Sequence, residues 1–135
     1  MMIDVLLEGV AIGPLLRLRA PLSFWGGVSV DGTVVDVHHP DRGRNLSNSI
    51  LLMTGRGSSS SSSVLAELIR SGAGPAAILL EARDAIVVTG ALVAAELYKR
   101  PIPVLLITDG DDASLQDGVD VIVDTAHQPV LRLDP

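Results

Sequence analysis

Apolar residues along this chain fall into short runs of two kinds. Leu16-Arg17-Leu18-Arg19 alternates apolar and polar, the two-residue period of a half-exposed antiparallel strand. Residues 49–54, 76–80 and 103–107 are apolar at successive positions, as in strands covered on both faces. Between them, Val64, Leu65, Leu68 and Ile69 recur at helical spacing, and so do Ile86, Gly90, Val93, Ala94 and Leu97 within 84–98. The β-branched run Ile86-Val87-Val88 weakens the second helix. The pattern predicts strands at 2–8 and 15–19 around a turn at Gly13-Pro14, and another at 33–38 after the Asp31-Gly32 turn. A βαβαβ unit with right-handed crossovers follows, its first helix stopping at Gly72 or Gly74. A hairpin of 119–123 and 130–133, broken at His127-Gln128-Pro129, ends the chain. The expected fold is one α/β domain over residues 1–135, layered β/β/α, with the antiparallel layer built from both chain ends. There is neither a repeat nor a domain linker.

Composition narrows this picture. The chain of 135 residues is 47% hydrophobic yet has one Trp, one Tyr and one Phe, so Val, Leu, Ile and Ala must build the core. Two of the aromatics fall in Ala20-Pro21-Leu22-Ser23-Phe24-Trp25-Gly26-Gly27, where the simplest expectation is a loop pinned by a buried Trp25. A formal charge of −6 argues against nucleic acid or anionic membrane as a partner. No apolar run approaches the roughly 20 residues that span a bilayer. Met1-Met2-Ile3-Asp4 lacks the basic region of a signal peptide, which makes a cytoplasmic protein the expectation.

Cysteine is absent, which removes disulfides, thiol nucleophiles and cysteine-ligated iron or zinc from this chain. Asp36, His38 and His39 make a poor metal site. Neighbours on a strand face opposite ways, and Asp36 with His38 supplies only two ligands. His39-Pro40 reads better as the start of a loop through Asp41-Arg42-Gly43. Asp109-Gly110-Asp111-Asp112 lacks the later ligands of a calcium loop and reads as a solvated turn. No metal is expected on this chain.

The stretch with chemistry joins the 49–54 strand to its helix: Thr54-Gly55-Arg56-Gly57, then six serines from Ser58 to Ser63. Six serines in a row commonly make a flexible linker, but this run lies inside a crossover. Serine also caps helix N-termini, and one or two of the six would suffice for that. The third reading is an anion cradle at a helix mouth, built of backbone N–H groups, hydroxyls and the Arg56 guanidinium. There is no Lys for a phosphate-binding P-loop, and Gly57-Ser58-Ser59 does not fit a nucleophile elbow. Ser58 could act as a base only with its alkoxide stabilised, and Arg56 and the helix amides are able to do that.

Gly55-Arg56-Gly57-Ser58-Ser59-Ser60, with Pro21-Leu22-Ser23-Phe24-Trp25-Gly26-Gly27, resembles the small subunit of the aconitase X family. His39-Pro40, Gly43 and the run Thr89-Gly90-Ala91-Leu92-Val93-Ala94-Ala95-Glu96-Leu97-Tyr98 fit as well. The resemblance implies the swivelling β/β/α domain of an aconitase-like dehydratase, working as a heterodimer with a large subunit. That subunit carries the iron or iron–sulfur centre, and this chain binds no cofactor. The family's catalytic base maps onto Ser58, which would take the proton α to the substrate carboxylate while the partner's metal draws off the hydroxyl. Arg56, Gly57, Ser59 and Ser60 would bind the substrate. Ser61 departs from the family, where glycine is common at that position. Bacterial-type members resemble cis-3-hydroxy-L-proline dehydratases, forming Δ1-pyrroline-2-carboxylate. Archaeal members resemble mevalonate 5-phosphate dehydratases and tend towards Phe-Leu-Gly-Gly and Gly-Lys-Gly-Ser-Thr. Phe24-Trp25-Gly26-Gly27 and Gly55-Arg56-Gly57-Ser58-Ser59 stand nearer the bacterial pattern. Trp25 then either lines the subunit interface or fills the core.

Two readings from other classes remain: a stand-alone module binding an anion or phosphate at the same helix mouth, and a phosphohistidine carrier. The carrier needs an exposed histidine at a helix start, and His38, His39 and His127 open no convincing helix.

Overall fold

A computed structural model describes residues 1–108 and 114–135. Among these described residues the elements follow in the order β1 (Met2–Leu7), β2 (Val10–Arg17), α1 (Phe24–Gly27), β3 (Ile50–Met53), α2 (Ser60–Ser71), β4 (Ala77–Leu80), α3 (Ala85–Tyr98), β5 (Val104–Thr108), β6 (Asp120–Asp124) and β7 (Leu131–Leu133). The sheet order is β1-β5-β4-β3-β2-β6-β7. Strands β2 to β5 pair in parallel, and β1 closes the far edge antiparallel to β5.

Every residue of β3 and β4 is buried, because both sheet faces are covered. One face, with Leu51, Met53, Ile78, Leu80 and Leu106, packs on the helices through Leu65, Leu68, Ile69, Val87, Ala91 and Ala94. The other, with Ile50, Leu52, Ala77, Leu79, Leu105 and Ile107, packs under Val121, Val123 and Leu131 of the antiparallel layer. These two cores are the β/β/α layering expected from the sequence.

The N-terminal prediction fails instructively. The turn lies at Glu8-Gly9, and Gly13-Pro14 sits inside β2 as the corner where the strand changes layers. Residues up to Pro14 pair with β6, and Leu15 to Arg17 pair with β3. A Cβ on Gly13 would stand 2.6 Å from the Asn48 carbonyl oxygen, so glycine permits the close approach at this corner. Consequently β1 belongs to the parallel sheet's edge, and the antiparallel layer takes only the first half of β2 from the N-terminal end. The strand expected at 33–38 is absent. Val34 is buried, but the segment makes only the isolated bridges Val28–Val34 and Thr33–Asn45, leaving Val35 and Val37 exposed.

Helix α2 ends on Gly72 at φ +82°, whose N–H bonds to the Leu68 and Ile69 carbonyls. In α3 the β-branched run is tolerated, with Asp84 capping the helix by accepting from the Ile86 and Val87 N–H groups. Its buried stripe is Val87, Gly90, Ala91 and Ala94, about one residue round from the expected face, and Leu97 is exposed. Glycine and alanine let α3 lie close on α2, where a Cβ on Gly90 would stand 2.7 Å from the Ser62 carbonyl oxygen. The closing hairpin, β6 with β7, forms as expected. The Asp109-Gly110-Asp111-Asp112 turn lies outside the described residues. No helix among the described residues is long and apolar enough to cross a membrane.

Candidate active site

The run from Gly55 to Ser60 connects the C-terminal end of β3 to α2, and Arg56, Gly57, Ser58, Ser59 and Ser60 are all exposed. The loop from Pro21 lies alongside it. The Leu22 N–H bonds to the Thr54 carbonyl, and the Arg56 N–H to the Leu22 carbonyl, each at 3.0 Å. Two glycines are required here for steric reasons. A Cβ on Gly55 would collide with Oδ2 of Asp84, the cap of α3. Gly57 has φ +117°, and a Cβ there would collide with the Ser23 hydroxyl. The turn is thus wedged between the 20–27 loop and the start of α3.

The six serines do different things. No serine side chain caps α2; Ser59 occupies the cap position with its hydroxyl unused. The helix starts instead on the bonds Ser61 N–H to Ser58 carbonyl and Ser62 N–H to Ser59 carbonyl, at 3.0 and 3.1 Å. Ser62 returns its hydroxyl to the Ser59 carbonyl at 2.7 Å. Ser61 is buried, 3.1 Å from the Ser23 hydroxyl and accepting the Trp25 N–H at 3.2 Å, so it pins the 20–27 loop to the helix. Among the described residues the exposed Ser58 hydroxyl has no hydrogen-bond partner, and the N–H groups of Ser58, Ser59 and Ser60 are unpaired as well. A flexible linker is excluded by these contacts. What remains is a turn that presents unpaired N–H donors and the exposed hydroxyls of Ser58, Ser59 and Ser60.

Arg56 extends the turn's charge, its guanidinium 3.7 Å from the Asp36 carboxylate. Asp36 serves as this counter-charge, and among the described residues no three metal-ligating side chains converge. His39 is buried, with Nδ1 accepting the Asp41 N–H and Nε2 donating to the Ala20 carbonyl, so both ring nitrogens are engaged within the fold. That removes it as a phosphate carrier. Asp41, 1% exposed, receives the Arg19 N–H and guanidinium and faces Arg44. Burial pushes its carboxyl up, but the Arg19 bonds and the two guanidinium charges outweigh this and hold it below the ordinary value.

Trp25 is 61% exposed, whereas Phe24 is 1% exposed, so the phenylalanine and not the tryptophan pins the loop. A cleft of about 660 Å³ is lined by Arg17, Arg19, Asp41, Arg44, Thr54 and Glu81 among others, and contains none of residues 56–60. Its arginines are engaged with Asp41, Asp117 and the Leu115 carbonyl. Residues 56–60 are exposed and stand apart from that cleft. Asp36, Ser23 and Asp84 were not legible as parts of this turn. The role of Ser61 was missed too, although its helical phase, shared with buried Leu65, Leu68 and Ile69, signals it.

The aconitase X swivel domain matches residues 1–131. The chain belongs to the aconitase X swivel-domain family. A crystal structure of Thermococcus kodakaraensis aconitase X superposes with a TM-score of 0.79 at 31% identity, covering 98% of this swivel domain and 95% of that chain. The swivel domain is 47% identical over 109 residues, 79% of its length, to a cis-3-hydroxy-L-proline dehydratase of Pseudomonas aeruginosa. It is 38% identical over 121 residues to a phosphomevalonate dehydratase small subunit of Pyrococcus furiosus, covering 88% of this chain and 84% of that one. It spans only 18–19% of the length of the cis-3-hydroxy-L-proline dehydratases it matches.

Proposed function

We propose that this swivel domain supplies the base of an aconitase-like hydro-lyase that dehydrates cis-3-hydroxy-L-proline to Δ1-pyrroline-2-carboxylate in the cytoplasm. It works with a larger polypeptide that holds the iron–sulfur centre. Without cysteine, this chain's residues do not fit such a cluster, and its own part is confined to proton transfer and substrate binding. The carrying observation is the Ser58 hydroxyl, exposed and unbonded on a turn fixed by Gly55 and Gly57, two residues from a guanidinium and at the mouth of α2.

Dehydration begins with a proton on the carbon α to the carboxylate. Ser58 removes it as an alkoxide, which needs positive potential to exist near neutral pH. Unpaired N–H groups of Ser59 and Ser60 and the end of the α2 dipole provide part of that potential, and Arg56 the rest. Arg56 also receives the substrate carboxylate. Departure of the hydroxyl belongs to groups outside this chain. Likeness to the dehydratase of Pseudomonas aeruginosa and the Gly-Arg-Gly-Ser-Ser turn favour hydroxyproline as substrate. The runner-up, mevalonate 5-phosphate, is favoured by the small-subunit relatives, of which the match covers up to 90%.

The test is co-expression with a cysteine-bearing large subunit of the same organism, followed by assays of both substrates. Loss of water from cis-3-hydroxy-L-proline is expected. Turnover of mevalonate 5-phosphate alone selects the runner-up, and an inert complex with phosphate bound to the lone chain selects the stand-alone anion module.

A further inference from the structure

Among the described residues the Arg56 guanidinium makes no hydrogen bond, and its ion-pair partner is Asp36. Their 3.7 Å separation lies outside hydrogen-bonding range, so neither group's bonding capacity is spent on the other. Asp36 is nevertheless held in place. Its Oδ1 accepts the His38 N–H at 2.9 Å, and the adjacent Val35 N–H bonds to the Gly27 carbonyl at 2.9 Å. Its Oδ2 receives no donor and faces the guanidinium. One cation and one anion thus stand side by side without a hydrogen bond between them, the cation two residues from Ser58.

Such a pair is selective. A ligand carrying only negative charge gains at Arg56 what it loses at Asp36. A ligand with a carboxylate and an ammonium on one carbon gains at both, and the gain grows as a covering partner excludes water. We infer that Asp36 is a specificity-determining residue that receives the ring ammonium of a zwitterionic imino acid while Arg56 holds its carboxylate. Asp36 thereby turns away purely anionic hydroxy acids and phosphorylated ones. This rests on the reading of the serine turn as half of a hydro-lyase site, and it names the charge class that the site takes.

The experiment uses the assembled two-chain complex and two ligands of one shape, L-proline and cyclopentanecarboxylate, measured by calorimetry. They differ by a ring NH2+ against a CH2. Wild type is expected to favour L-proline about tenfold or more, since a site built to bond a polar group rejects the analogue lacking it. Asp36→Asn keeps an oxygen for the His38 N–H and so keeps the loop. In that variant the preference should collapse towards one, with cyclopentanecarboxylate binding held or strengthened. Arg56→Gln should weaken both ligands together. An unchanged preference in Asp36→Asn, or none in wild type, overturns the inference. Turnover of cis-3-hydroxy-L-proline by wild type is scored separately. Turnover with an unchanged preference defeats the role of Asp36 alone, whereas discrimination without turnover defeats the dehydration reading alone.

Discussion

Replacing Gly57 by alanine tests whether the serine turn is rigid. At φ +117° an L-residue sits in a region used almost only by glycine, at a cost of about 1–3 kcal/mol. The new Cβ would also collide with the Ser23 hydroxyl, stand 3.0 Å from Ser23 Cβ and approach Ser61 Oγ to 3.4 Å. Moving that hydroxyl strains two hydrogen bonds, to the Trp25 carbonyl at 3.0 Å and with Ser61 at 3.1 Å, each contributing about 0.5–1.5 kcal/mol. Together these predict a loss of about 3 kcal/mol. With a urea dependence of about 2 kcal/mol per molar, the unfolding midpoint should fall by about 1.5 M. Ser23→Gly removes the obstruction but not the backbone strain. The double variant should therefore lose about 1–2 kcal/mol less than the sum of the two singles. Urea titrations of the four proteins, followed by circular dichroism, give the cycle. Strict additivity, or a Gly57→Ala midpoint equal to wild type, would refute the wedge of Gly57 against Ser23.

Other consequences are independent of that cycle. Gly90→Ala places a methyl against the Ser62 carbonyl and Leu65, forcing α3 off α2; a destabilisation of about 1–3 kcal/mol is expected by urea unfolding. Asp41 has a folded-state pKa below its unfolded value of about 3.9, so its stabilisation is present above that pH and is lost as pH falls through the lower folded value. Thermal midpoints measured from pH 7 down to 2 should fall less steeply in Asp41→Asn than in wild type, and parallel acid limbs would contradict the Arg19–Asp41 linkage. Asp84→Ala removes both capping bonds of α3 and should cost about 1 kcal/mol, read as a lower thermal midpoint.

The βαβαβ core could be read directly because covered strands leave continuous apolar runs, and Gly72 marks a helix end by conformation alone. The chain's first third resisted for physical reasons. Gly13-Pro14 carries the composition of a turn, yet it serves as a corner at which β2 exchanges β6 for β3, a role set by tertiary contact with Asn48. The valines of 33–38 look like a strand but have no partner strand to pair with. Helix α3 is apolar nearly all round, so periodicity gave its existence but not its phase. Within the site, the Gly-Arg-Gly-Ser-Ser motif was legible, whereas Asp36 lies 20 positions from Arg56 and no spacing rule joins them. Of the two readings left open for Trp25, filling of the core fails, because the loop buries Phe24 and turns the indole outward.

The central claim is that Ser58 is the base of a shared active site. Its most direct measurement is the rate of water loss from cis-3-hydroxy-L-proline by a complex of this chain with its large subunit, comparing wild type with Ser58→Ala. Ser58→Ala is expected to assemble with unchanged stoichiometry and circular dichroism while kcat falls by about 10²–10⁴. A fully assembled Ser58→Ala complex that keeps wild-type kcat would contradict that claim.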